Sequence, residues 1–221
     1  MNRTDLSWKI KKMSATAMFC ALAFALTYIK IPVMFLSLEI KDSVIVLATL
    51  LFGPLSGLFL AIAVPLLEFV THSTTGVYGL IMNVLSSVTF SMVTGLIYKY
   101  KKSFYGAIVG LASGVASVTA VMLLANLLVT PYYMGVTVST VVTLIPKLLL
   151  PFNFIKATLN GAIVLLLYKP LSQTLKKIGF LASSGTSSSG GKASALRFLL
   201  VTVCALVIIA ASLAVVFFVL R

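Results

Sequence analysis

Three polar residues inside one apolar run carry the most chemistry in this 221-residue chain. Asn153, Lys156 and Asn160 stand at i, i+3 and i+7, a spacing that puts two amides and an ammonium on one face of a helix. Lys156 lies well inside a run from about Val141 to Tyr168, twelve residues and so roughly 18 Å from its Tyr168 end at a rise of ~1.5 Å per residue. A charge at such depth costs at least ~2.5–3.5 kcal/mol on insertion scales, so it is retained for a partner, a substrate or a pathway. The plain alternative is a lysine that snorkels to the interface, which suits Lys147 better, because Lys147 is close to the expected outer boundary.

Asn126 and Asn83 add amides that both donate and accept; either serves a ligand or holds two helices together. Glu68 is the acidic residue placed well inside an apolar run. Two placements suit it, a buried ion pair with Lys156 or the outer rim beside His72. The segments Leu38-Glu39-Ile40-Lys41-Asp42 and Thr74-Thr75-Gly76-Val77-Tyr78-Gly79 read as outer loops. Glycine allows close backbone approach and Tyr78 offers a stacking face, which fits a site for a flat ring, although an ordinary turn explains the pattern too. Ala17, Ala21 and Ala25 recur every fourth residue, a smooth groove for close helix approach, either inside the bundle or against a partner. Metal chemistry is poorly supplied. Cys20 and Cys204 both sit in apolar runs, His72 is the single histidine, and no CxxC pair or zinc spacing occurs. An enzyme needs an acid/base set, and one interior Glu, one His and one buried Lys are a thin supply.

The elements that position these residues are helices in a bilayer. Hydrophobic residues make up 60% of the chain and charged ones 10%, against about 45–50% and 25% in soluble domains. Mean hydropathy is +1.14. The net charge of +13 falls in short segments between apolar runs, so it reads as topology, with membrane lipid contact secondary and no nucleic-acid binding.

Along the chain, apolar runs at about 13–38, 43–53, 55–71, 77–98, 104–129 and 141–168 predict six spans, the second and third parted at Gly53-Pro54. The first run is too long for a signal peptide. Arg3, Lys9, Lys11, Lys12, Lys99, Lys101, Lys102, Lys169, Lys176, Lys177, Lys192 and Arg197 then lie on one side, against Lys30, Lys41, Lys147 and Arg221 on the other. That asymmetry predicts a multi-pass protein of the cell membrane with a cytoplasmic N-terminus. Residues 1–178 form the membrane domain on this reading, 179–195 a flexible linker rich in Gly and Ser, and 196–221 a seventh span. Lacking interior Pro, Gly, Asn or Lys, the seventh span reads as an appended anchor outside any binding site. No inverted repeat is evident, which argues against a self-sufficient carrier.

Taken together, the Ala17/Ala21/Ala25 helix, Leu38-Glu39-Ile40-Lys41-Asp42, Leu51-Phe52-Gly53-Pro54-Leu55-Ser56-Gly57, Thr74-Thr75-Gly76-Val77-Tyr78-Gly79, Asn126-Leu127-Leu128-Val129-Thr130-Pro131-Tyr132-Tyr133 and Leu150-Pro151-Phe152-Asn153-Phe154-Ile155-Lys156 resemble the substrate-binding S components of energy-coupling factor (ECF) transporters. The last two resemble the riboflavin-specific type. The resemblance covers about residues 13–178 and implies an all-α bundle of six transmembrane helices, to which the seventh is added. It further implies riboflavin as a transported ligand rather than a cofactor, enclosed by Ile40, Lys41, Gly76, Tyr78, Asn126, Asn153, Lys156 and Asn160. Ala17, Ala21 and Ala25 would dock a coupling membrane subunit, and two ATPase subunits would supply the energy, since the chain has no Walker-type phosphate loop. An S component for another vitamin or ring-containing precursor is the nearest alternative. A membrane-embedded enzyme or structural subunit is the more distant one.

Overall fold

The computed structural model describes residues 3–177 and 192–218. Helix α1 (Arg3–Leu26) leads into a two-stranded antiparallel hairpin, β1 (Lys30–Val33) and β2 (Leu36–Glu39), followed by α2 (Lys41–Phe52), α3 (Pro54–Thr71), α4 (Gly76–Tyr100) and α5 (Phe104–Met134). A short α6 (Val138–Leu144) runs through a π-helical turn (Ile145–Leu149) into α7 (Leu150–Lys177), and α8 is Lys192–Phe218. Among the described residues, four stretches are long and apolar enough to cross a membrane: Pro54–Thr71, Gly76–Tyr100, Phe104–Met134 and Val138–Leu175.

The hairpin corrects the expected first span. The run 13–38 is apolar apart from Lys30 and a few hydroxyl residues, but the helix stops at Leu26 and the chain turns through Thr27, Tyr28 and Ile29 into the hairpin, where Pro32 has no N–H to continue a helix and Met34 takes φ 53° at the turn. Within the run lies a period of two. Register pairs Lys30 with Glu39 and Pro32 with Ser37 on one face, and Ile31 with Leu38 and Val33 with Leu36 on the other. One face of the ribbon is polar and the other apolar. The expected loop 38–42 is also revised, since Glu39 ends β2 and Lys41 and Asp42 open α2, all three buried.

The break between α2 and α3 falls where Gly and Pro demand it. Gly53 has φ 97°, open to glycine without strain, and Pro54 occupies the first helical position. Close helix approach follows from small residues. A Cβ on Gly57 of α3 would collide with Thr49 Oγ1, and one on Gly95 of α4 would collide with Thr49 Cγ2, so α2 is clasped between its neighbours. Packing forms three apolar clusters. One joins α1, α2 and α3 through Ala15, Ala23, Ile45, Phe52, Leu60 and Val64. A second joins α2, α4, α5 and α7 around Phe90, Leu111, Val118 and Val164. The third joins the apolar face of the hairpin (Val33, Leu38) to α7 (Phe152, Leu159) and to Val216 of α8.

Most of the Gly/Ser stretch expected as a linker lies outside the described residues, and its last residues, 192–194, open α8. The helix set aside as an appended anchor packs along α7, with Ala205, Ser212 and Val216 buried.

Candidate functional site

The site grows from the seam between the hairpin, the first turn of α2 and the middle of α7. Asn160 closes that seam. Its Nδ2 donates to the Glu39 carbonyl at 2.9 Å and to the Lys156 carbonyl at 2.9 Å, and its Oδ1 accepts from Ser43 N–H at 2.8 Å. Both amide hydrogens are thus engaged, so Asn160 works here as a clamp on the strand-to-helix corner. One turn earlier on α7, Lys156 Nζ donates to the Ser37 carbonyl at 3.3 Å and is half-buried.

Beside the clamp is a small gap, lined by Asp42, Ser86, Phe90, Val118, Asn153, Lys156, Ala157 and Asn160. Three of the residues singled out from sequence, Asn153, Lys156 and Asn160, therefore meet at one place, as their spacing on one helix face requires. Asn153 donates Nδ2 to the Leu149 carbonyl at 2.7 Å within its own helical stretch. Asp42, buried on the opposite wall, accepts from Ser87 Oγ at 2.5 Å. The lining combines an ammonium, a carboxylate, amides and hydroxyls with one aromatic ring, a mixture that suits a flat ligand bearing both donors and acceptors.

Next to the cavity runs an ion network. Lys41 is fully buried, with Nζ 2.6 Å from Glu39 Oε2 and paired with Glu68 Oε2. Lys30 pairs with Glu68 Oε1 and stands 3.5 Å from Glu39 Oε1, the cross-strand neighbour that the hairpin register supplies. Ser37 Oγ donates to Glu39 at 2.9 Å and Asn83 Nδ2 to Glu68 at 3.3 Å. Burial by itself raises the Glu39 carboxyl, but the ammonium groups of Lys156, Lys41 and Lys30 outweigh it and hold it at about 2. Two lysines face two carboxylates, so each buried charge is compensated.

This network settles the two placements open to Glu68: it meets Lys41 and Lys30 rather than Lys156. His72 caps α3, donating its backbone N–H to the Glu68 carbonyl at 3.0 Å, with its ring stacked on Tyr28 at 4.1 Å. The sequence reading took Lys156 as the deeply held lysine, whereas the most buried cation among the described residues is Lys41. A signal existed, because Glu68 lies inside an apolar run where it needs a partner, and Lys41 stands among Glu39 and Asp42, two more of the four acids in the chain.

The other expected ligand residues stand apart. Asn126 on α5 is buried but turned onto its own helix, donating to the Met122 carbonyl at 2.7 Å and accepting from Thr130 Oγ1 at 2.9 Å. Gly76, with φ 59°, starts α4, and Tyr78, two residues on, is exposed and packs edge-on against Tyr133 at 6.0 Å. Ile40 is half-buried in the cluster formed by the hairpin, α7 and α8. On α1, Ala15 and Ala23 face the bundle, while Ala17, Ala21 and Ala25 are exposed. Among the described residues no group of three or more His, Cys, Asp or Glu side chains could hold a metal ion.

Comparison with known proteins agrees with this architecture. The family model of the ECF transporter substrate-specific component matches residues 11–172. The riboflavin transporter RibU of Staphylococcus aureus (strain TCH60) is 32% identical over 178 residues, which is 76% of this chain and 94% of that one. The riboflavin transporter FmnP of Bacillus subtilis (strain 168) is 26% identical over 182 residues, 76% of this chain and 96% of that one. A solved structure of the S component of a bacterial ECF transporter is 32% identical and superposes with a TM-score of 0.66, covering 76% of this chain and 99% of its own. The helical membrane bundle with its one hairpin and the family match together show that the chain belongs to the substrate-specific components of ECF transporters, proteins that bind a substrate for a larger transport assembly.

Proposed function

We propose that this S component binds riboflavin in the cavity bounded by Asp42, Ser86, Phe90, Asn153 and Lys156, at the outer side of the membrane, and delivers it inward with ATP hydrolysed by partner subunits. The observation that carries the reading is the grouping of Asn153, Lys156 and Asp42 around one small gap beside Phe90, in a chain similar to two proteins named riboflavin transporters. The pyrimidine edge of a flavin alternates donors and acceptors, which the amide, ammonium and carboxylate groups match. Ile40, Lys41, Gly76, Tyr78 and Asn126 belong to the wider enclosure on this reading, reached when the surrounding segments move. Movement is needed because the gap has room for only about one water molecule, whereas small-molecule sites usually enclose ~300–1,000 Å³. The seam held by the contact from Lys156 to Ser37 is the part that must give.

The exposed Ala17, Ala21 and Ala25 stripe supports docking of a coupling membrane subunit, which two ATPase subunits would drive. The crowding of basic residues at the N-terminal end of α1 and the C-terminal ends of α4 and α7 supports a cytoplasmic N-terminus. The test is purification followed by visible absorption and fluorescence titration. A flavin-carrying preparation that releases and rebinds riboflavin is expected. A colourless protein that ignores riboflavin and binds another vitamin would overturn the ligand assignment while leaving the family intact.

A further inference from the structure

Helix α8 lies beyond the family-matched residues 11–172, yet it is packed against the element that borders the cavity. Val216 is buried in one cluster with Val33 and Leu38 of the hairpin and with Leu148, Phe152 and Leu159 of the segment leading into and along α7. Ile209, Leu213 and Val215 pack against the same cluster. That cluster lies on the apolar face of a ribbon whose opposite face presents Lys30, Ser37 and Glu39 to the ion network, and α8 closes it from the side of α7. An isolated two-stranded ribbon is marginally stable, so the packing on its apolar face decides how firmly it stays in place. The ribbon is also what Lys156 and Asn160 hold from α7, through the Ser37 and Glu39 carbonyls.

We infer that α8 is an intramolecular strap on the hairpin, setting how often the seam beside the cavity opens and therefore how fast ligand enters and leaves. The ligand half of this inference rests on the cavity being the riboflavin site; the mechanical half does not. Release of α8 from this cluster would loosen the packing on one face of the ribbon and leave the contacts from α7 to hold it.

The test uses the full chain with Leu213→Ala and Val216→Ala, and Val203→Ala on the exposed side of the same helix as control. In the ligand-free protein, hydrogen–deuterium exchange of the hairpin amides should quicken by about tenfold in the double variant, through loss of buried methyl contacts, and stay unchanged in the control. Riboflavin release, followed by recovery of flavin fluorescence on dilution, should quicken by a similar factor. Unchanged exchange in the double variant overturns the strap. Faster exchange with unchanged release overturns its control of the ligand. Failure of the parent protein to bind riboflavin overturns the ligand reading alone, and the exchange measurement still decides whether α8 holds the hairpin.

Discussion

Replacing Lys41 by Met should be among the most destabilising single changes in this protein, and the arrangement of charges sets the size. Lys41 is fully buried between Glu39 and Glu68. With Lys30, the four groups carry two positive and two negative charges; Lys41→Met leaves one carboxylate in excess in a site that excludes water. Lys30 stays 3.5 Å from Glu39 and paired with Glu68, but it is partly exposed and cannot neutralise both. Breaking a buried pair from one side costs about 3–5 kcal/mol, which for a chain of this length corresponds to about 6–20 °C in melting temperature. Thermal unfolding of detergent-solubilised protein measures it. Adding Glu68→Gln to Lys41→Met restores the balance of charge, so the double variant should melt above Lys41→Met and the double-mutant cycle should show a coupling above about 1.5 kcal/mol. Lys147→Met, at an exposed position, is the control. A Lys41→Met protein that melts within a degree or two of the parent, or a double variant no better than the single, would refute the claim that compensation of these buried charges holds the site together.

Lys156→Ala should weaken riboflavin binding by about ten- to hundredfold while Lys147→Ala leaves it nearly unchanged, because a charge-assisted hydrogen bond contributes about 1.5–3 kcal/mol; equal losses in fluorescence titrations would remove Lys156 from the site. Glu39 gives a pH signature. Its carboxyl is held at about 2 in the folded chain against an ordinary 4.5, so it contributes stability that is full above about pH 5 and lost as pH falls toward 2. Melting temperatures of a Glu39→Gln variant should lack that acid-side contribution. Asn160→Leu should cost about 1–3 kcal/mol by taking a donor from the Glu39 carbonyl and one of two acceptors from Ser43 N–H, which keeps the Ile40 carbonyl at 3.2 Å, read as an equal fall in thermal stability with and without ligand. Ala17→Leu with Ala21→Leu should leave riboflavin affinity unchanged and stop vitamin uptake in cells holding the coupling subunits, since the added atoms lie on an exposed face of α1 away from the cavity. Loss of affinity alongside uptake would make the stripe an internal packing face.

What the sequence determined by itself follows from composition and short-range spacing. Apolar runs of spanning length, the Gly53-Pro54 break and the shared face of Asn153, Lys156 and Asn160 are local properties of the chain; the structure keeps the last two and most of the runs, with the first divided between α1 and the hairpin. The hairpin was hidden for a physical reason: Ile31, Val33, Leu36 and Leu38 alternate with residues such as Pro32 and Ser37 that are themselves only weakly polar, so a period of two is lost inside a continuous apolar run. Charge partners are decided over long separations. Lys41 meets Glu68 only because α2 and α3 fold back at Gly53, and Lys30 meets Glu39 only through the ribbon's register, so nothing in the local sequence of Glu68 prefers Lys41 to Lys156. The same holds for Asn160, which reads as a ligand amide in one dimension and becomes a clamp once the strand-to-helix corner is brought against α7. An amide in an apolar run must find hydrogen-bond partners, and only tertiary structure determines whether those partners are a ligand or the protein's own backbone.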